Sequence, residues 1–439
     1  MKTRLTSCTL ATVLLLAALP AFGGTLAVGP ASCEPSYVHF STIQAAVNAA
    51  PMTGTTTITV CPGIYTEQVQ IIGKNITLKG ISYGGSNSAI IEPPGGGLVP
   101  NATSTFGGPA IEAAVLVQNS TAVTIEDLTV DATNNLTQCG QDPIGIFYQN
   151  ASGTITRDNV LHVQVVNGFS CQGGLGIYVE SGATSGSPNP SEAAPSTVAI
   201  TYNNVQDYDK NGITANGTLG SPTQVGVTIK YNTVMGAGMV TDNAQNGIQL
   251  GGANGNISSN IIDGDWYVPP PEATDYVATG ILIFQSTAPY VASNTISNTN
   301  VGIYLWSINP DDTDNATIKN NTITATHIDD GIVLCANLST ASSNVFNFAD
   351  ESGINVAACG DASPSNTLTD NTINGACAGI LVAPPATAAI TATATNYYNV
   401  TTPVLTTNTD TCATPLVKKR NENRAHRALV SPARRKLAQ

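Results

Sequence analysis

The chain alternates apolar and polar residues in short bursts that restart every 22 to 36 residues, each time at a Gly-Ile pair. The pairs stand at Gly145-Ile146, Gly176-Ile177, Gly212-Ile213, Gly247-Ile248, Gly280-Ile281, Gly302-Ile303, Gly331-Ile332, Gly353-Ile354 and Gly379-Ile380. Three residues past each Gly the chain reads Tyr148, Val179, Ala215, Leu250, Ile283, Leu305, Leu334, Val356 and Val382. Strand side chains alternate, so this position and the Ile share one face and predict a core. The position between them points the other way and is mixed, from Phe147, Tyr178 and Thr214 through Gln249, Leu282 and Tyr304 to Val333, Asn355 and Leu381. Between the pairs an Asn precedes an apolar residue, at Asn159-Val160, Asn204-Val205, Asn232-Thr-Val234, Asn260-Ile261, Asn294-Thr-Ile296, Asn321-Thr-Ile323, Asn344-Val345 and Asn371-Thr-Ile373. Each unit therefore predicts at least two short strands with a polar corner between them, and no helical period intervenes.

A repeat of this length adds one unit per turn of a solenoid, and a single unit cannot bury its own apolar face. The pattern predicts a parallel β-helix that grows by about 4.8 Å per coil, a rod on the order of 55–60 Å long. The asparagines suit its corners, because Asn tolerates a left-handed backbone and stacked amides hydrogen-bond to one another.

At the N-terminus, residues 1–23 carry Lys2 and Arg4, an apolar run from Leu10 to Leu19 and Ala21-Phe22-Gly23. This pattern predicts a secretory signal peptide, too short to span a membrane, and no other stretch reaches membrane-spanning length. A secreted or extracytoplasmic location follows. Eight cysteines remain beyond the signal: Cys33, Cys61, Cys139, Cys171, Cys335, Cys359, Cys377 and Cys412. Sequential pairing is expected, with Cys33–Cys61 clamping the first coil by roughly 3–4 kcal/mol. Structural zinc is excluded by spacing, since no Cys-x-x-Cys occurs and the four histidines, His39, His162, His327 and His426, are scattered.

Residues 24–416 form the β-helix domain and hold six basic side chains against 28 acidic ones. Nucleic acid and polyuronates are thereby disfavoured as partners. Residues 417–439 reverse the balance, with eight Lys and Arg and one Glu, and are expected to be a disordered basic tail. Eleven Asn-x-Ser/Thr sequons occur, near the number chance gives in so Asn- and Thr-rich a chain, and identify no host. A monomer is expected, and no cofactor is readable.

Ser41-Thr42-Ile43-Gln44 fits a capping box, Ile43, Ala46, Val47 and Ala50 share a helical face, and Pro51 ends the run. A short helix here would cover the first open edge of the β-helix. The stretch Phe40-Ser-Thr-Ile-Gln-Ala-Ala-Val-Asn-Ala-Ala-Pro51, with Ile58 to Val69 and Ile76-Thr-Leu-Lys-Gly80, resembles the opening of the pectin-lyase-like superfamily, pectin methylesterases included. With the repeats, the resemblance covers about residues 36–400. It implies an all-β fold, a right-handed parallel β-helix solenoid of roughly a dozen coils with a short N-terminal capping helix. It leaves the chemistry open, because one superfold hosts many activities.

Catalytic motifs of pectin methylesterases, of the Asp-Phe-Ile-Phe-Gly and Leu-Gly-Arg-Pro-Trp kinds, and the Gly-His-Gly and Arg-Ile-Lys of polygalacturonases are absent. Asp329-Asp330, with His327 nearby, is the nearest acidic pair, and paired carboxylates can protonate a leaving oxygen and activate water. Yet Lys210-Asn211 and Gln245-Asn246 occupy the same place before the repeated Gly, which makes the pair an ordinary polar corner. Lys210, after Asp207 and Asp209, is the residue an elimination would use as base, but a lone corner Lys is ordinarily solvated. Asp311, Asp312 and Asp314 form an acidic loop without EF-hand spacing.

The outward aromatics carry the binding expectation. Phe284 and Trp306 fall four residues past the Gly of consecutive coils, with Tyr304 two past, so they are expected on one outer strip. The insertion with Trp266, Tyr267, Pro269-Pro270-Pro271 and Tyr276 could wall it. Phe284, Tyr304 and Trp306 are the expected substrate-binding residues. Two readings follow: a carbohydrate-binding or surface-interacting rod without catalysis, and a polysaccharide lyase, hydrolase or epimerase with an irregular site. The first is preferred, because no recognised catalytic constellation is present, and its partner would be a polysaccharide or cell-surface component.

Overall fold

The computed structural model describes residues 25–84, 86–165, 172–182, 196–217, 225–268, 277–306, 315–327, 329–357, 365–384, 386–391, 394–406 and 412. Residues 1–23 and 417–439, where a signal peptide and a basic tail are expected, and the 311–314 acidic loop lie outside them.

Most coils contribute three strands, one more than the two marked by the repeats, and in the last two the second and third run on as the single strands Thr372–Val382 and Asn396–Leu405. One coil, for example, runs through Val225–Lys230, Thr233–Val240 and Asn246–Gly251. The first strands stack into a 14-stranded sheet, and the second and third belong to one of 23 strands. The register follows the repeat. In the third ladder Ile146, Ile177, Ile213, Ile248, Ile281, Ile303, Ile332, Ile354 and Ile380 pair in parallel, coil to coil. In the first, Leu78, Ile125, Ile155, Ile200, Ile229, Ile257, Val291, Ile318, Ala341 and Leu368 do the same, all fully buried. With the second ladder's Val160, Val205, Val234, Ile262, Ile296, Ile323, Phe346 and Ile373, three apolar columns meet along one continuous core.

The Gly of each Gly-Ile pair is required by close approach. A Cβ on Gly280 would sit 2.5 Å from Ile296 Cγ2 and 2.8 Å from the Gly302 carbonyl oxygen. Neither distance is attainable, so the third strand can press against the second only where the side chain is absent.

Between the first and second ladders runs a column of buried asparagines: Asn203, Asn232, Asn260, Asn294, Asn321, Asn344 and Asn371, none more than 2% exposed. In each step up to Asn371, one Asn donates from its backbone N–H and its Nδ2 to the Oδ1 of the next, at 2.9–3.1 Å. Every Nδ2 also donates to a carbonyl of the preceding coil, as Asn294 does to Ile257 at 3.0 Å. Both ends of the interior amides are satisfied, as burial demands.

Two details differ from expectation. The left-handed residue is the one before the ladder Asn, at Tyr202, Tyr231, Ser259, Ser293, Asn320, Ser343 and Asp370. The Asn itself secures the corner through its side chain. In two coils the ladder member is one residue earlier than the repeat suggests: Asp158 and Asn203, while Asn159 and Asn204 begin the following strand.

Asp158 heads the column. Its Oδ1 accepts from Leu128 N at 2.8 Å and its own N–H donates to Asn203 Oδ1, but its Oδ2 stands where an asparagine would present Nδ2 and has no partner. Burial drives this carboxyl well above its ordinary range.

The helix forms at Ile43–Ala49 with Ile43, Ala46 and Val47 buried. Thr42 is its cap, accepting from Ala45 N at 3.1 Å, so the expected box with Gln44 is not made. Instead Glu67 accepts from Ile43 N and Gln44 N, at 2.7 and 2.8 Å, and Gln44 turns to the backbone of Gln70. Lys74 closes the other end, donating to the carbonyls of Val47, Asn48 and Ala50. An anion at the N-terminus and a cation at the C-terminus both complement the helix dipole. Disulfides join Cys33–Cys61 and Cys377–Cys412 as expected. Cys139 and Cys335 are also disulfide-bonded, and their expected partners Cys171 and Cys359 lie outside the described residues.

Replacing Asn294 by Ala strands the buried donors of Asn260, and unfolding by urea should show a loss of about 3 kcal/mol. Asp158→Asn should act in the opposite direction. A carboxyl raised by burial stays protonated in the fold after the unfolded chain has ionised, so stability falls as pH climbs above the ordinary carboxylate range. Melting curves between about pH 4 and pH 8 should therefore show the variant gaining on the wild type as pH rises.

Candidate binding face

The outward face of the third ladder brings together most of the residues to which chemistry can be assigned. Its positions are columns one residue wide. One reads Leu116, Phe147, Tyr178, Thr214, Gln249, Leu282, Tyr304, Val333, Asn355 and Leu381 in register. The sequence expectation for Phe284, Tyr304 and Trp306 is met in placement, since Phe284 pairs with Trp306 and Leu282 with Tyr304 across adjacent strands. The rings of Phe284 and Trp306 meet edge to face at 6.1 Å. Exposure differs from what an open strip would give. Phe284 and Tyr304 are only 5% and 7% exposed, and Tyr304 packs with Val301, Val333 and Cys335. Trp306 alone of the three keeps partial exposure. Tyr267 is buried and Trp266 stacks on His327 at 3.9 Å, while 269–276 lie outside the described residues.

A second aromatic cluster at the other end of this face was marked in sequence only by Phe147 and Tyr178 sharing an offset. Their rings stack at 4.9 Å, enclosed by Ile111, Leu116, Ile144 and Leu175. Beside them the fully buried Glu180 accepts five hydrogen bonds: from Ser104 Oγ at 2.6 Å, Thr105 N at 2.6 Å, Thr105 Oγ1 at 2.7 Å, Gln149 Nε2 at 3.0 Å and Tyr178 OH at 2.7 Å. The carboxylate pins the segment around Ser104–Thr105 onto the coils, and burial beside it holds the Tyr178 phenol protonated. Between the aromatic clusters runs a buried polar row. Thr279 Oγ1 donates to Asn246 Oδ1, Asn246 Nδ2 to Asn211 Oδ1, and Asn211 Nδ2 to Thr214 and Gln249.

Asp329 and Asp330 part company in the fold. Asp330 faces outward, and its carboxylate accepts from Ser352 N at 3.0 Å, Ser352 Oγ at 2.6 Å and Asn355 Nδ2 at 2.9 Å. Asp329 lies in the corner at the level that Gln245 and Asn300 occupy in earlier coils. There Gln245 bonds Ala237 N and the Tyr208 carbonyl, and Asn300 bonds the backbones of Tyr267, Ala278 and His327. Glu351 follows in the next coil, its N–H donating to the Asp329 carbonyl at 3.2 Å. Oxygens of Asp329, Asp330 and Glu351 lie within 4.8 Å of one another, all three residues buried. Such hard oxygen donors could hold a divalent cation, which would share the Asp330 oxygens with Ser352 and Asn355.

Lys210 departs from the solvated reading. It is half-buried, donates from Nζ to the Ala244 carbonyl at 2.9 Å, and burial pulls its amine down to about 8. Nearby, burial pushes Asp209 up to about 6 and Asp142 up to about 7, against the N–H of Val165 and of Gly174 that each accepts. Asp207 sits apart, half-exposed and 3.5 Å from His162.

Residues 187–391 match the family described as right handed beta helix region. Among solved structures, the chain is similar to the Dettilon tailspike protein gp208, with a TM-score of 0.53, 16% identity, 83% of this chain and 64% of that chain covered. It thus spans a little under two thirds of that protein. It is similar to a GH136 lacto-N-biosidase from Eubacterium ramulus, with a TM-score of 0.57, 12% identity and coverages of 87% and 68%. A third is PfbA, a surface adhesin of Streptococcus pneumoniae, with a TM-score of 0.52, 12% identity and coverages of 82% and 87%. No curated protein matches the chain in sequence. At these identities the likeness is one of fold.

Glu180→Ala should remove the anchor of the 104–105 segment and strand several buried donors. The expected cost is about 3–5 kcal/mol in urea unfolding, with faster amide exchange confined at first to that segment.

Proposed function

We propose that this chain, a right-handed parallel β-helix of pectin-lyase-like fold, is an extracytoplasmic rod that binds a carbohydrate or surface polymer without transforming it. The observation that supports this reading most is the state of the acids on the outward face. Glu180 accepts five donors and Asp330 three, and each is tied to a neighbouring segment or coil. A general acid or nucleophile must exchange partners during turnover, and carboxylates saturated by their own scaffold are built to hold it. The aromatic and amide columns on the same face suit sugar recognition, with Trp306 as the expected contact.

Partner charge is constrained by the basic residues. Lys74 caps the helix, Lys79 and Arg157 pair with Glu126 and Asp127, Lys210 holds a carbonyl and Lys319 lies 5.1 Å from the Tyr290 ring. Five of the six are thus engaged internally, which disfavours polyanions. Cysteine pairing fits an oxidising compartment, and no helix among the described residues is long and apolar enough to cross a membrane.

One observation favours the enzymatic reading: Asp142 and Lys210, with proton affinities moved toward neutrality, lie on either side of Gly173–Gly174. Acid and base of this kind could serve an elimination or hydrolysis.

A glycan array with the mature protein, followed by mass spectrometry of any bound glycan with and without calcium, separates the two. Retention without shortened products is expected, and Trp306→Ala should weaken it at least about tenfold with the melting temperature little changed. Shortened products that vanish in Lys210→Met would replace the binding reading with the enzymatic one.

A further inference from the structure

Nine successive coils pass from the first to the second ladder through one non-glycine residue with φ between 55° and 59°: Asp127, Arg157, Tyr202, Tyr231, Ser259, Ser293, Asn320, Ser343 and Asp370. That backbone region costs an L-residue roughly 1–2 kcal/mol, least for Asn and Asp, and a bulky side chain there is an outlier. Six of these corners carry Ser, Asn or Asp, and one carries Arg. Two consecutive ones carry Tyr.

Burial does not explain the choice, because Tyr202 and Tyr231 are 59% and 51% exposed. Their rings stack on each other at 4.9 Å and 14°, which offsets part of the backbone cost while the pair stays exposed. The left-handed corner is common to all nine coils, so what sets these two apart is the exposed aromatic pair itself, and exposed apolar groups of this kind mark contact sites.

We infer that the Tyr202–Tyr231 ridge is a binding platform for a neutral polysaccharide, with a pyranose ring stacked on the outer face of Tyr231. The next two corners after Tyr231 are Ser259 and Ser293, so no large corner side chain follows the second ring for two coils. Beside the ridge the outward residues of the second ladder supply hydroxyls and amides. Thr233 pairs with Asn204, Gln206 Nε2 donates to Asn204 Oδ1 at 2.6 Å, and Asn204 Nδ2 reaches Asn159 Oδ1 at 3.4 Å. Exposed Met235 and Ile261 add apolar surface for the hydrophobic faces of sugar rings. The mixture of stacked rings, amides and apolar patches is that of a sugar site, and the excess of acid over base in the rod selects an uncharged chain.

This inference rests on the carbohydrate-binding reading but places a site on a different face, so the two fail separately. The test is the same glycan array on wild type, Trp306→Ala and the double variant Tyr202→Ser/Tyr231→Ser, each with a melting curve. Serine is the residue of the neighbouring corners, so the double variant should melt at or above the wild-type temperature. Its retention of neutral glycans should fall at least tenfold. Retention equal to wild type overturns the ridge, and so does a lowered melting temperature, which would make the rings part of the scaffold. Wild-type retention limited to uronate-bearing glycans overturns the ridge alone. Retention of no glycan overturns both readings.

Discussion

The buried asparagine column is the constraint on which the rest of the rod depends. A corner between strands leaves backbone N–H and carbonyl groups facing inward, where water cannot reach them, and an unpaired group there costs about 1–3 kcal/mol. One side chain per coil resolves this by bonding the coil before and the coil after, at distances that vary by only about 0.2 Å along the column. The same amides hold the coils from Asn203 to Asn371 in one register. The apolar columns then stack Ile on Ile, and the outward columns inherit their alignment from a contact made inside the wall.

This dependence explains what could be read from sequence. The Gly-Ile pair was legible because two constraints coincide, an inward Ile and a Gly where Ile296 and the Gly302 carbonyl leave no room for a Cβ. The first strand of each coil carried no such mark; segments like Thr228-Ile-Lys230 alternate but contain no repeated dipeptide. The Asn signal was off by one residue at 159 and 204, because two adjacent asparagines, or Asp158 before Asn159, present the same local pattern and only stacking chooses between them. Caps supplied by Glu67 and Lys74 come from more than twenty residues away and leave no local trace.

The candidate face divides along the same line. Adjacency of Phe284, Tyr304 and Trp306 followed from offsets in the repeat, since register is a one-dimensional property. Their burial did not, because it depends on how neighbouring coils close on each ring, as Val301, Val333 and Cys335 do on Tyr304. Asp329 and Asp330 were adjacent in sequence yet serve different neighbours, one in the corner stack and one on the outer wall. Tyr202 and Tyr231 escaped notice because nothing distinguishes a left-handed corner residue until the ladder Asn after it has been located.

On the proposed binding reading, a polymer would meet two kinds of surface. On the third ladder the aromatic rings are mostly covered, and a ligand would reach Trp306 while Phe284 and Tyr304 remain part of the packing. At the first corner nothing needs to move. The rings of Tyr202 and Tyr231 stand out from a backbone held by hydrogen bonds to the coils on either side, as in Tyr231 N to the Ser258 carbonyl. A flexible loop would lose its freedom on binding, whereas a ridge fixed by the column beneath it has lost that freedom already during folding. The interaction that secures the fold therefore also preorganises the surface, and the corner strain is borne by contacts a ligand never touches.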